Sequence, residues 1–187
     1  MAFDTNPACT AHVVAHLALV SGRRAVARDL VPMLVYLADR ESITHHGHPI
    51  GDALHRVEEG VAVQATCHDV LTGRAPTYPE WDAVLRNDGP DVALLDHVVD
   101  ADLDHLSVAT AWCIDRVSER FAGRTAADVR EWMTDPGSLP ELADRTGGIP
   151  LVEIMRAVGL HEPEEQARHH ESMVDVGLVL DGRRWSD

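Results

Sequence analysis

Apolar positions along this chain recur at helical spacing over most of its length. Val13, Leu17 and Val20 share one face of a first predicted helix, with Asn6 as its cap, Pro7 at its opening position and Gly22 as its stop. Leu30, Met33, Leu34, Val35, Leu37 and Ala38 cover nearly every direction of a second helix, with Asp29 before it and Pro32 in its first turn. A helix apolar all round belongs in the middle of a domain. It turns amphipathic at Asp39 and Arg40 and stops at Gly47, with Pro49 just beyond.

Residues 49–60 carry no helical stripe and read as extended; a helix over 61–71 follows, ended by Gly73. Pro76, Pro79, Gly89 and Pro90 break residues 73–106 into an irregular connection with a short apolar piece, Val92 to Leu95. Ser107 caps an amphipathic helix in which Leu106, Cys113, Val117 and Phe121 form one stripe and Gly123 the stop. Thr125 and Asp128 open a helix containing Val129 and Trp132. An extended Ile149-Pro150 with a short helix follows, and a last helix from Pro163 should bury Ala167, Met173 and Val174. The pattern predicts a mainly α fold of about six helices around 30–38, with a minor short β element. It makes 1–177 the domain and 178–187 a tail.

Composition narrows the functional classes. Of 187 residues 45% are hydrophobic and 25% charged, ordinary for a globular chain. With 16 Arg, no Lys and 31 acidic residues, the formal charge is −15. That balance argues against direct nucleic-acid binding, which needs local positive charge, and suits either solubility alone or attraction to a basic protein surface. Cys9, Cys67 and Cys113 are far apart and outside any C-x-x-C pair, so they read as reduced, small hydrophobes. With no signal peptide at the N-terminus and no apolar run of membrane-spanning length, the expected place is the cytoplasm.

Candidate chemistry is sparse. His45, His46 and His48 cannot all close on one ion unaided, and the run reads as a solvated helix end where imidazoles are electrostatically welcome. His12 and His16 have the spacing of a zinc helix, but Val13 stands where a zincin needs Glu. His169 and His170 are adjacent and diverge on a helix. Asp100-Ala-Asp-Leu-Asp104 begins like a calcium loop, yet His105 and Ala111 occupy the positions of its Gly and Glu. No phosphate loop, nucleophile elbow or kinase signature is present. Neither a metal, a cofactor nor a catalytic residue is therefore expected. Tyr78 and Trp81, two aromatics in a loop, read first as anchors onto the core and second as a partner-binding pair. Asp39 and Arg40 point about 100° apart on a helix, and each is expected to bridge to the loop after Gly47.

The run Leu34-Val-Tyr-Leu-Ala-Asp-Arg-Glu-Ser42, then Gly47, Pro49-Ile50 and Gly51-Asp52, resembles the Panacea domain, the SocA-like antitoxin or phage-associated protein family. Leu106-Ser107, Phe121-Ala-Gly123, Thr125-Ala-Ala-Asp-Val129 and Gly148-Ile-Pro-Leu151 resemble its second half. Gly60-Val61-Ala62 stands where the family has Gly-Pro-Val, and Met133 to Pro136 where it has a His before an acidic-aromatic segment. The resemblance implies a helical antitoxin that neutralises a cognate protein toxin, encoded next to it, by direct contact. Tyr36, Asp39, Arg40, Gly47 and Gly60 would then be structural motif residues, and the loop around Tyr78 and Trp81, together with the acidic surface, is the candidate partner-binding face. Two other readings stand beside it: a proteolytic adaptor that hands a toxin to a cellular protease, and a metal-dependent hydrolase built from the His clusters.

Overall fold

A computed structural model describes residues 7–51, 54–135, 137–142 and 145–183, and for Pro7 and 174–183 the backbone alone. Asn6 as a cap, Asp52, Pro136, the side chain of Val174 and the last four residues of the expected tail lie outside the described residues.

Eight helices and two three-stranded antiparallel sheets are present among the described residues, so the fold is mixed α and β. The expectation of a mainly α fold with a minor strand is corrected on this point. The helices are α1 (Pro7–Val20), α2 (Val31–His46), α3 (Ala65–Thr72), α4 (Pro79–Val84), α5 (Val108–Arg120), α6 (Ala126–Thr134), α7 (Leu151–Ala157) and α8 (Pro163–Arg183). The strands are β1 (Ala25–Ala27), β2 (His55–Glu58), β3 (Val61–Gln64), β4 (Leu85–Asp88), β5 (Asp91–Leu94) and β6 (Gly147–Ile149). None exceeds four residues, too short for the alternation that betrays a strand.

One sheet runs β1-β5-β4, placing Val26 opposite Val92 and Leu85 opposite Leu94. Two of its strands, β4 and β5, lie within 73–106, the segment expected to be irregular, as does helix α4. Its hairpin turns at Gly89-Pro90, with Gly89 at φ 58, a Gly-first two-residue turn. The other sheet runs β3-β2-β6, with His55 between Gln64 and Ile149. Its β2–β3 turn has both central residues in the left-handed region, Glu59 at φ 49 and Gly60 at φ 84. Gly60 thus makes a tight hairpin, and residues 61–64 are strand where helix was expected. The helix begins only at Ala65, capped by the Gln64 side chain, which accepts from the Cys67 N–H at 2.6 Å.

A Cβ on Gly60 would meet nothing within 4 Å, so Gly60→Ala carries backbone strain alone. It should cost about 1 kcal/mol of unfolding free energy in denaturant titration; an unchanged midpoint would contradict this turn.

Helix α2 lies at the centre as expected: Val31 to Asp39 are all buried, as are Ser42 and Ile43. It stops at Gly47, φ 78, whose N–H returns to the Ile43 carbonyl. Helix α1 is buried on more than the expected face, since Ala11, Val14, Ala15 and Ala18 join Val13 and Leu17, while Val20 faces solvent. In α8 Ala167 is buried but Met173 is 59% exposed, against expectation. That helix continues through Arg183, past residue 178 where a tail was expected. No helix among the described residues is long and apolar enough to cross a membrane.

Candidate interaction site

The site is built outward from two adjacent charges on α2. Asp39 is 3% exposed and accepts from the Ile50 N–H at 2.9 Å, the Gly51 N–H at 3.4 Å and His55 Nε2 at 2.8 Å. A carboxylate buried among three donors is compensated. It ties the loop after Gly47 and strand β2 to α2, the bridging role expected of Asp39. Arg40 takes a different partner. Its Nε donates at 2.6 Å to Glu141 Oε1, and that oxygen also accepts from the Tyr36 hydroxyl at 2.7 Å. Glu141 is buried in the short 3₁₀ turn Pro140–Leu142. The expectation that Arg40 bridges to the loop after Gly47 is corrected. Burial, and then the Glu141 charge, push the Tyr36 hydroxyl well above its ordinary pKa, so it stays a donor. Across the Tyr36 ring, His55 packs edge-on at 5.2 Å.

Arg40 is also the inner wall of an open cleft of about 420 Å³ between α2, α5 and α6, lined by Leu37, Glu41, Arg116, Arg120 and Trp132 among others. The Arg120 guanidinium lies 4.5 Å from the Trp132 ring centroid and 5.6 Å from that of Phe121. Arg116 lies 4.8 Å from the Trp112 ring and pairs with Glu41. His45 meets the same Trp112 ring edge-on at 5.0 Å. Trp112 is 42% exposed and Val108 is 90% exposed. Val108, Trp112, Arg116 and Arg120 follow one another at four-residue spacing, so they form one solvent-facing row along α5. The opposite side of the helix carries the buried Cys113, Ile114 and Val117. Stacking on tryptophan holds each guanidinium extended before any partner arrives.

The other predicted residues fall elsewhere. Trp81 is fully buried on α4, which packs against α1, and Tyr78 is half-buried at 6.1 Å from it. Trp81 thus sits in the core, with no face of its ring reaching solvent. Gly47 and Gly60 are turn residues. Trp112, Arg116, Arg120, Trp132 and Glu141 are not among the residues the sequence singles out; for the first three the available signal is the four-residue spacing on the polar side of α5.

His12 and His16 are buried and turned toward aspartates. His16 Nε2 stands 2.9 Å from Asp115 and its Nδ1 3.6 Å from Asp100. The His105 backbone N–H donates to His12 Nδ1 at 3.3 Å, with Asp104 at 3.9 Å. The calcium-like run thus opens as a 3₁₀ turn in which Asp102 accepts from the Val99 N–H, while Asp100 and Asp104 stand near the α1 histidines. Burial and the neighbouring His105 lower the His12 pKa below the ordinary 6.5, outweighing Asp104. The unfolded chain therefore takes up this proton first, and stability falls as pH drops through 6.5. The melting temperature should fall between pH 7.5 and 5.5, and His12→Asn should shrink that fall. An equal fall in the variant would contradict the assignment.

Burial raises the Cys113 thiol to about 11 and lifts Cys67 further still, so both are inert at neutral pH. Among the described residues no group of three or more His, Cys, Asp or Glu side chains stands where it could hold a metal ion. No protein-family model, curated protein or solved structure matches this chain.

Proposed function

We propose that this protein is an antitoxin that neutralises a cognate protein toxin by direct contact, and that the contact is made by the α2–α5–α6 face. The observation that carries the reading is the exposed row Trp112, Arg116, Arg120 with Trp132 beside it. Tryptophan and arginine are among the residues in which interface binding energy concentrates: the indole buries a large rigid surface, and the planar guanidinium stacks and donates from a fixed fork. The resemblance of 34–52 to Panacea domains supports the toxin as the kind of partner. In this reading the motif residues act at one remove: Tyr36 and Arg40 fix Glu141, and Arg40 shapes the cleft floor. The protein acts in the cytoplasm on a partner encoded beside it, without nucleic acid or membrane.

Co-expression with each neighbouring open reading frame tests this. Growth rescue with unchanged toxin abundance is the expected result. Rescue only when a cellular protease is present would replace neutralisation by delivery to that protease, and rescue with no neighbouring gene would overturn the antitoxin reading.

A further inference from the structure

Three arginines line the cleft between α2, α5 and α6, and two of them are already neutralised. Arg40 is paired with Glu141 at 2.6 Å, and Arg116 with Glu41. Arg120 differs: among the described residues no carboxylate stands within ion-pair distance of it, and none of its N–H groups has an acceptor. Acidic residues outnumber arginines 31 to 16 in this chain, so a shortage of carboxylates is not the reason.

What holds Arg120 is aromatic. Its guanidinium carbon lies 4.5 Å from the Trp132 ring centroid and 5.6 Å from that of Phe121, and the two rings meet edge to face at 5.2 Å. The N–H bonds of a guanidinium lie in its own plane, so contact through its face leaves all five free. Ring contact also removes in advance the rotamer freedom that an exposed arginine loses on binding. The result is a planar donor fork, fixed in place and open to solvent, in a cleft that the buried Leu37 and Val117 also line.

Such a fork is matched by an oxyanion with two oxygens in one plane. Carboxylate and phosphate both offer that, and the surroundings choose between them. Glu41 and Glu119 also line the cleft and the whole chain carries −15, so a dianion meets more repulsion than a single charge. We propose that Arg120 receives one carboxylate of the protein partner, an Asp or Glu side chain seated bidentate on the fork. The assignment rests on the α2–α5–α6 face being the contact surface, and adds the chemistry of the group that docks there. The −15 charge steers a partner with a basic surface, while one acid within that surface sets the register.

Arg120→Lys keeps the charge and loses the fork; Arg120→Gln loses both. With purified partner, Arg120→Lys should raise Kd about 10-fold and Arg120→Gln about 30-fold, with unchanged melting temperatures. Replacing the partner's surface Asp and Glu residues one at a time should find one whose loss weakens binding to the parent but not to Arg120→Gln. Arg120→Lys binding as tightly as the parent, or additive losses for every partner acid, would overturn the carboxylate and leave the contact face standing. The fork can also be read without a partner. The Arg120 Nε–H NMR signal should shift saturably with N-acetylglutamate α-amide and stay still with its glutamine analogue. Equal responses to the two would overturn the proposal whatever becomes of the antitoxin reading.

Discussion

Glu141→Ala should be the most destabilising single change on this side of the molecule. One carboxylate accepts both the Tyr36 hydroxyl and the Arg40 guanidinium, and Glu141 has no exposed side-chain surface. Truncation leaves a buried hydroxyl and a mostly buried cation without their partner. Removing one member of such a pair costs more than the pair contributes, because the remaining charge keeps its desolvation penalty. Arg40 retains some solvent, so about 3 kcal/mol is expected in place of the upper range for a buried pair. For a chain of this size that is a fall of about 6–12 °C in melting temperature. Tyr36→Phe removes only the neutral donor and should cost about 1 kcal/mol. Thermal unfolding of the two variants decides the point: equal losses would mean that Arg40 and Glu141 do not depend on one another.

The second large effect concerns binding. Trp112→Ala and Arg120→Ala, singly, should each weaken association with the toxin by about 2 kcal/mol or more, roughly 30-fold in dissociation constant. Both side chains face solvent, so the melting temperature should stay close to the parent's. That contrast separates this face from the Glu141 network, whose loss acts through folding. Trp81→Ala, by comparison, should damage stability, because its ring is fully buried on α4, which packs against α1. Calorimetry with purified partner reads the first pair, and unaltered affinity in both would remove the face from the account.

The central helix and its glycine stop were legible because a run of apolar residues around a whole helix, ended by Gly47, has few other solutions. Ser107 and Thr125 were legible as caps for the same local reason, and their side chains do accept from Thr110 and Asp128. The sheets were not. Ala25-Val26-Ala27 carries almost no strand signal, and its pairing with Val92 depends on residues far along the chain. Residues 61–64 extend the apolar run of α3, so periodicity alone could not separate strand from helix there; the Glu59-Gly60 turn could. Asp39 found the loop it was expected to reach, while the partner of Arg40 lies in a 3₁₀ turn about which local sequence says nothing.

The most direct measurement is the activity of the purified toxin as this protein is added, with no protease or nucleotide present. The account predicts that activity falls in proportion to added protein and is lost near equimolar ratio, and that the Trp112→Ala/Arg120→Ala double variant leaves it intact. Full toxin activity in the presence of excess parent protein would contradict it.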